Sequence, residues 1–551
     1  MLERKEFLRR ERRSSVAGEV EYAFRHLLVR DVTYGQIPRA VRADKHRVAA
    51  RWIESLGRPE DHAETVAHHY LRALELSRAA GASIDDISDA ARRALREAGE
   101  RASSLNSHAA AARFYEQALA LGFPDDADRA SVQFRRARSL HLAGDAEREV
   151  ALEDARATLL AVGDSEHAAE TDSLLAEYWW HRGDRDRSLE HLERSRALVH
   201  TLPPSPEKAH VLSQVSRYRA LAEQNEEAIQ VGEEALAMAE ALGLDELRAH
   251  ALDNIGIAKF NLGDLAGIDD TERSIEIAVA ARSPEAARGY NNLGAFMWML
   301  GDFRRSCRLI GEAVAVGERL GNASLATYSR LVQVQQLFAQ GKWEEGTRRA
   351  DEFLAVCDAG ESHYMESGVR GARAQSRLAR DDVEGALEDL RKMLPAARRA
   401  GDPQALVPSL QSAAFLYFEL GRVTEATDLA GETLALAPPG FALVELSWIG
   451  AELECEAELR ERLERTLLVT KWHDAARALL DRDFAMAADV FFEIGDLVYE
   501  AQARLRAAGH LVLAERRADA DEQLRKALAF WRSVGATRYV REGEALLAAA
   551  S

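Results

Sequence analysis

The sequence predicts an all-α fold, a solenoid in which two helices alternate along most of the chain. Composition favours helices over sheets, because 47% of the 551 residues are hydrophobic but only 7% are aromatic. A turn also recurs at nearly constant spacing, with small residues at fixed places around it. One such unit cannot bury its apolar side alone, so stacked units must share a continuous core.

The recurring turn is visible in segments such as LAGDAEREV, NLGDLAGID and MLGDFRRSC. Eight of its ten successive steps measure 38 to 40 residues, and a step of 61 residues interrupts the series after Gly421. We expect a residue that tolerates the left-handed backbone conformation at each turn. The predicted turn residues are Asn106, Gly144, Gly183, Glu223, Gly263, Gly301, Gly341, Asp381, Gly421, Arg482 and Ala518.

A second glycine closes most units about 20 residues later, as in ALGFPD, AVGDSE and RAGDPQ. The two turns therefore delimit a pair of helices of roughly 14 to 17 residues each. Small residues precede the first turn, as at Gly256 and Gly294, and let the paired helices approach closely. We expect eight or so antiparallel helix pairs between residues 98 and 437, with almost no strand.

These small and apolar positions fall where the tetratricopeptide repeat has them, and the pattern resembles that family. The spacing near 40 residues exceeds the ~34 of the family, with the surplus in the loops between units. The resemblance implies a right-handed superhelix over residues 98–440, whose first helices line a concave face.

Both ends of the chain resemble a narrower family. The segment VEYAFRHLLVRDVTYGQIPRAVRADKHRVAARWIESLGR and the tail beginning FAMAADVFFEIGDLVYEAQARL are similar to bacterial signal-transduction ATPases, often fused to class III adenylate or guanylate cyclase domains. In those proteins Tyr-x-Phe-x-His, here Tyr22, Phe24 and His26, lies on the last strand of a winged helix. The resemblance implies a winged-helix remnant with a linking helix at 1–60, adaptor helices at 61–97, and an irregular helical pair with C-terminal repeats or a cap at 441–551.

Catalytic motifs do not appear in the sequence. It contains no G-x-x-x-x-G-K-[ST] phosphate loop, no G-x-S-x-G elbow and no Cys/His pairing of recognisable spacing, so we predict no enzyme and no cofactor. Cys307, Cys357 and Cys455 are far apart and are interpreted as core residues. A metal site is also not predicted, because the nearest candidate group has the wrong order for H-E-x-x-H and no third ligand. That group is His62, Glu64, His68 and His69.

Charge and hydropathy restrict the partners. The net charge is −19, although residues 1–60 carry 14 Lys/Arg against 9 Asp/Glu. The bulk of the chain should repel nucleic acid, and the basic N-terminus is interpreted as a solvated or interdomain surface because acids interrupt it. Its basic residues are Arg4, Lys5, Arg9, Arg10, Arg12 and Arg13. No apolar run reaches ~18 residues and no signal peptide is evident, so we expect no membrane association and a cytoplasmic location.

The concave face is the predicted binding groove. Three residues before successive turns, five of eight positions are aromatic: His141, Trp180, Ala220, Phe260, Trp298, Phe338, Leu378 and Phe418. Nearby polar positions are Glu177, His181, Arg288, Asn291 and Gln335. Aromatic faces beside hydrogen-bonding groups suit a peptide, a protein segment or a sugar-like small ligand. Alternatively, the large residues only fill gaps between helix pairs.

We therefore predict a non-enzymatic interaction and sensor module, the regulatory C-terminal part of a signalling ATPase or cyclase. A nucleotide-binding ATPase or cyclase module is a predicted partner. Two alternatives stay open: the truncated end of a cyclase–ATPase without an independent role, and the repeat region of a transcription regulator.

Overall fold

The structure, a computed structural model, describes residues 7–10, 20–57, 59–182, 184–360, 363–401, 403–436, 438 and 440–550. Within these residues it contains 28 α-helices and one two-stranded hairpin. The all-α helical-repeat prediction is confirmed. By its contacts the chain divides into two compact units, Met1–Leu175 and Ala176–Ser551.

The first unit begins with a hairpin in which Leu8 lies opposite Phe24. Tyr22 and Phe24 are on its second strand, whereas His26 follows that strand and precedes α1. Arg4, Lys5, Arg12 and Arg13 lie outside the described residues. The winged-helix and adaptor assignments stay predictions. The elements are β1 (Leu8–Arg10), β2 (Tyr22–Phe24), α1 (Leu27–Gln36), α2 (Arg39–Ser55), α3 (Pro59–Ala79), α4 (Asp85–Ser104), α5 (His108–Leu119), α6 (Asp126–Ala143), α7 (Arg148–Val162) and most of α8 (Ser165–His181).

The second unit starts near the end of α8 and continues the alternation of paired helices. Its regular helices are α9 (Arg185–Val199), α10 (Pro206–Leu221), α11 (Asn225–Leu242), α12 (Asp245–Asn261), α13 (Ala266–Ala280), α14 (Glu285–Met299), α15 (Phe303–Leu320), α16 (Ala323–Ala339), α17 (Trp343–Asp358), α18 (Glu366–Ala379), α19 (Val383–Ala400), α20 (Pro403–Glu419) and α21 (Val423–Ala435).

An irregular stretch follows, where the spacing of the turns is 61 residues. It consists of a 3-10 turn (Gly440–Leu443), the short α22 (Val444–Ser447) and α23 (Glu456–Glu464). Regular helices then resume as α24 (Lys471–Leu480), α25 (Phe484–Ile494), α26 (Leu497–Leu513), α27 (Arg517–Ser533) and α28 (Thr537–Ala550). Among the described residues, no helix combines the length and the apolar composition that spanning a membrane requires.

The backbone at the predicted turns is left-handed. Nine of the eleven predicted residues have positive φ, including the non-glycine residues Asn106, Glu223, Asp381 and Arg482. Gly183 lies outside the described residues. The prediction for Ala518 is wrong, since it lies inside α27 and the left-handed residue is Glu515. No glycine marks this last turn, and the predicted turn residue is three positions too late in the chain.

The paired helices approach closely at their small residues, as between α12 and α13. A methyl group added to Gly267 would lie 2.3 Å from the carbonyl oxygen of Gly256, and one added to Gly256 would lie 2.7 Å from that of Gly267. Each backbone therefore occupies the space that a side chain on the other would need. This contact explains why residues without side chains stand at this crossing.

The first helices of successive pairs also contact one another. We call α10, α12, α14, α16, α18 and α20 the first-helix layer, because each packs on the next as well as on its own partner. The second helices of the pairs pack mainly on the first helices. Residues at the same offset from the turn in successive repeats therefore lie at equivalent places on the first-helix layer.

The C-terminal helices and the loop before α24 pack on the turns of earlier repeats within the second unit. Leu467 lies against Gly263, Lys471 against Gly301, and Phe530 against Gly341. Further along, Arg541 forms an ion pair with Asp381, and Arg538 donates a hydrogen bond to the carbonyl oxygen of Glu419. Successive turns are thus covered by residues more than 100 positions later in the chain.

Two acids, the half-buried Glu445 and the buried Asp496, lie in the irregular stretch and directly before α26. The Tyr499 hydroxyl donates a 2.7 Å hydrogen bond to Glu445, and Asp496 accepts the backbone N–H groups of Val498 and Tyr499. Burial raises the pKa of Glu445 to about 7 and the pKa of Asp496 to about 6. Glu445 therefore remains largely protonated in the folded state at mildly acidic pH.

Stability should consequently fall as the pH rises from about 4.5 to about 7, since the folded state keeps a proton on Glu445 that the unfolded state has released. Glu445→Gln should remove this part of the pH dependence and make the protein more stable than wild type at pH 8. Urea-unfolding midpoints at pH 5 and pH 8 measure the effect. The exposed Glu464→Gln is the control, and equal pH dependence in wild type and E445Q would contradict the assignment.

Candidate functional site

A network of polar side chains crosses the first-helix layer from α10 to α14. The Ser213 hydroxyl lies 2.6 Å from Nδ1 of His250, and Asn254 donates a 2.8 Å hydrogen bond to the Ser213 carbonyl oxygen. We call this group the central polar cluster. Its members are Ser213, Arg217, His250, Asp253, Asn254, Glu285, Arg288 and Asn292.

Arg288 joins three parts of the central polar cluster. Its guanidinium donates to Oδ1 of Asn254 at 2.9 Å and to the carbonyl oxygen of His250 at 3.0 Å. It also forms ion pairs with Asp253 at 3.1 Å and with Glu285 at 2.9 Å. A planar guanidinium with five N–H donors suits this bridging position between two helices.

The electrostatics of the cluster are those of a site removed from water. Burial, with Arg288 and Arg217 nearby, lowers the pKa of His250 well below its usual value, so the imidazole is neutral near pH 7. Although burial opposes it, the pKa of Arg217 is raised by Tyr218 and the acids Glu177, Glu285 and Asp253. The cluster therefore holds fixed charges of both signs beside neutral hydrogen-bonding groups.

Some polar atoms here have no hydrogen-bond partner among the described residues. Asn292 and Arg288 both contact Oδ2 of Asp253, which leaves its Oδ1 buried without a partner. The hydroxyl of Tyr218 and Oε1 of Gln214 are in the same condition. Since buried polar groups are nearly always satisfied, these atoms indicate a water molecule or a ligand group at this place.

The buried members of the central polar cluster form its floor, and its half-buried members form its rim. His250, Asp253 and Asn254 are buried, whereas Arg217 and Asn292 are half-buried. A ligand would therefore meet the rim residues and the half-buried Gln214 first. Among the rim residues, Asn292 is oriented by its hydrogen bond to the buried Asp253.

A second charged cluster on α17, α18 and α19 has a different character. Asp389 is fully buried and accepts hydrogen bonds from Arg373 and Arg377, with Arg370 at 3.5 Å. The arginines are shared further with Asp358, Asp351 and Glu366. Because these acids and arginines form ion pairs with one another, the network holds α17, α18 and α19 together.

The structure separates the polar residues of the predicted groove. Arg288 belongs to the central polar cluster, and Asn291 beside it accepts a 3.1 Å hydrogen bond from Ser329. The charge of Glu177 helps to raise the pKa of Arg217. Nε2 of the exposed His181 lies 3.7 Å from Oε1 of Glu177. Gln335 lies further along the layer, against Gly368 of α18. Their binding role stays a prediction.

Most members of the predicted aromatic row are packed. Phe260, only 3% exposed, stacks on Phe296 with ring centroids 4.2 Å apart. The buried Trp180 contacts Tyr218, and the buried Phe338 lies against Gly346. These side chains fill space between helices, as the alternative interpretation expected, and leave little surface for a ligand.

Trp298 and Phe418 are the more accessible members of the row. Trp298 is 39% exposed, and its ring centroid lies 5.5 Å from that of Trp472. Phe418 is half-buried against the core that α20 shares with the C-terminal helices. A stacking role for these two side chains stays a prediction.

The predicted groove contains Arg288 but not most other members of the central polar cluster. The repeat pattern nevertheless contains a signal for them. Counted back from Glu223, Gly263 and Gly301, three equivalent places are polar in successive units. They hold His210, Ser213 and Gln214; then His250, Asp253 and Asn254; then Arg288, Asn291 and Asn292. The next unit has Tyr328, Leu331 and Val332 there, which marks the end of the polar stretch.

Other site chemistries find no support in the described part of the chain. It contains no group of three or more His, Cys, Asp or Glu side chains that could hold a metal ion. Near the histidines of α3, Nδ1 of His69 lies 2.8 Å from Nδ1 of His46, whose Nε2 lies 2.7 Å from the Tyr34 hydroxyl. Cys307, Cys357 and Cys455 are free thiols, and burial raises the pKa of each.

Comparison with known proteins supports the repeat. The tetratricopeptide-repeat family model matches residues 167–241, which run from α8 into α11 and include the start of the first-helix layer. No curated protein matches this chain.

Among solved structures, a Rap protein complexed with competence and sporulation factor is 12% identical, with a TM-score of 0.49, and the match covers 62% of this chain and 97% of that one. The apo quorum sensor NprR from B. thuringiensis is 11% identical, with a TM-score of 0.37, covering 66% and 99%. A signal-transduction ATPase with a tetratricopeptide-repeat sensor from Pyrococcus horikoshii is 15% identical, with a TM-score of 0.34, covering 81% and 58%. Similarities this low carry no inference about function.

Proposed function

We propose that the central polar cluster is the centre of a peptide-binding surface on the first-helix layer, and that the protein is a non-enzymatic interaction and sensor module. The observation that carries this proposal is the run of polar residues at equivalent places on α10, α12 and α14, with buried atoms of Tyr218 and Asp253 still unpartnered. A helical-repeat surface of this kind presents its groups along an extended line.

A peptide suits the chemistry of this surface better than a single small anion or cation. An extended backbone alternates N–H donors with carbonyl acceptors, and the amides of Gln214, Asn291 and Asn292 can serve either. The charges of Arg217 and Arg288 are accompanied by those of Asp253 and Glu285, so no single sign of ligand charge is favoured.

Sensing would follow from the position of the cluster across several helices. A peptide that contacts α10, α12 and α14 together stabilises the spacing of these helices that fits it best. Binding then changes the protein only by the difference in its affinity for the two spacings. We further propose that the module regulates an ATPase or cyclase, a suggestion supported by the family resemblance of residues 20–58 and of the C-terminal tail.

The binding proposal is tested by selecting random 12-residue peptides on the purified full chain and measuring the selected peptides by calorimetry. Arg217→Gln and Asn292→Ala should each weaken binding by about tenfold, because they remove rim groups of the cluster. Arg348→Gln, the same change at an exposed arginine of α17, is the control. Circular dichroism checks that the variants fold.

Two results would contradict the proposal. One is that no peptide is selected above background. The other is that the selected peptides bind the cluster variants as tightly as the wild type, which would place their site elsewhere. The ATPase proposal is tested separately by reading the genomic DNA upstream of Met1, where an in-frame phosphate-loop motif supports it.

A further inference from the structure

We propose that the outer face of α2 binds an acidic amphipathic helix of a partner protein. On this face Val41, Val48 and Trp52 are exposed although they are large and apolar, with Val48 63% and Trp52 43% exposed. Together with Asp44, Lys45 and Ala49 they line a shallow depression. Exposed apolar surface with a polar margin is characteristic of interaction sites.

The spacing of these residues indicates a helix as the occupant. Positions 41, 45, 48 and 52 are separated by four, three and four residues, which places them in one stripe along α2. At 1.5 Å per residue the stripe is about 16 Å long, or three helical turns. A partner helix of about 12 residues would cover it with its own apolar stripe.

The rest of α2 is already used by the fold. Ala43, Ala50 and Ile53 are buried on the opposite side, where α2 packs on α3. The neighbouring α1 has no buried residue, and its Leu28 and Val32 are exposed as well. The first two helices thus concentrate apolar side chains that the described residues leave uncovered.

Charge selects an acidic partner. Helix α2 carries five Lys/Arg against two Asp/Glu. Both acids are engaged, since Asp44 forms a 2.6 Å ion pair with Arg47, and Glu54 accepts a hydrogen bond from Tyr70. Lys45 within the stripe and Arg51 beside it remain exposed. Pairing with the same face of a second copy would bring two basic helices together, so a partner with acidic flanks is favoured.

The test uses two fluorescein-labelled synthetic helical peptides with the same leucine stripe, one flanked by glutamates and one by lysines. Fluorescence anisotropy with the full chain should show binding of the acidic peptide and at least tenfold weaker binding of the basic one. Val48→Asp should weaken binding of the acidic peptide by tenfold or more, because it places a carboxylate in the centre of the stripe. Added salt should weaken binding as well.

Val150→Asp is the matched control, since Val150 of α7 is 66% exposed and lies away from α2 in the sequence. It should leave the affinity unchanged. The proposal is overturned if neither peptide binds, if both peptides bind equally, or if the two aspartate variants behave alike. It is also overturned if sedimentation shows a dimer that Val48→Asp dissociates, which would assign the stripe to a second copy.

Discussion

Trp472→Ala should destabilise the second unit by about 3 to 5 kcal/mol, the cost typical of removing a large buried aromatic side chain. Trp472 is buried, and its indole N–H donates a 2.7 Å hydrogen bond to the carbonyl oxygen of Trp298, 174 residues earlier. Its ring also contacts Phe491 of α25. The substitution would therefore leave a cavity and remove one hydrogen bond from the Trp298 carbonyl oxygen, which keeps the backbone N–H of Gly301 as a donor.

Two further variants separate the parts of this effect. Trp472→Phe keeps most of the apolar volume but removes the N–H donor, so it should cost about 1 kcal/mol plus a smaller packing loss. Trp298→Ala keeps the accepting carbonyl and removes a partly exposed ring, so it should destabilise less than Trp472→Ala. Urea unfolding measures all three, and an unchanged midpoint for Trp472→Ala would contradict the described packing of α24.

The Trp298→Ala variant also tests the predicted groove. If Trp298 is a stacking platform, its loss should weaken binding of a selected peptide by about thirtyfold. A lower stability with unchanged peptide affinity would instead assign Trp298 to packing against Trp472. Both quantities have to be measured on the same preparation, because local unfolding in a repeat protein would also reduce apparent affinity.

Gly267→Ala should cost about 3 kcal/mol although it adds a single methyl group. That methyl would lie 2.3 Å from the carbonyl oxygen of Gly256 and 2.9 Å from the backbone nitrogen of Phe260. Backbone atoms cannot move aside as a flexible side chain can, so α12 and α13 must separate. Because α12 carries His250, Asp253 and Asn254, the variant should also weaken peptide binding at the central polar cluster.

Gly311→Ala is the control for this prediction. Gly311 lies within α15, and nothing is within 4 Å of the position its methyl group would take. Alanine is the better helix former, so this change should stabilise the protein by about 0.5 to 1 kcal/mol. Urea unfolding compares the two variants, and hydrogen exchange localises the change. Effects of the same sign at both glycines would contradict the close contact of α12 and α13.

The repeat could be predicted from the sequence because its determinants are local. A helix that ends in the left-handed conformation needs glycine or a tolerant residue at one place, and this requirement returns in every unit. Even Glu223 and Asp381, which are not glycines, could be placed by spacing alone. The prediction failed at Ala518, where no glycine marks the turn and the spacing had already been interrupted by the 61-residue step after Gly421.

The candidate site could be predicted only in part. The repeat register places Arg288 and Asn291 on the first-helix layer, since residues at one offset share one face of the helix. Whether a side chain at that face is open to a ligand depends on its neighbours, and Phe260 is covered by Phe296. Offsets therefore identified the layer, but they did not identify which residues on it are accessible.

The sequence by itself determined the helix pairs, their turns and the interruption after Gly421, because these depend on residues close together in the chain. Only the tertiary structure decided that Trp472 meets Trp298, that Arg541 meets Asp381, and that Ser213, His250 and Arg288 form one cluster. The physical reason is that small differences in how each helix pair packs on the next accumulate along the repeats. Their sum fixes which distant residues come into contact, and no short segment encodes it.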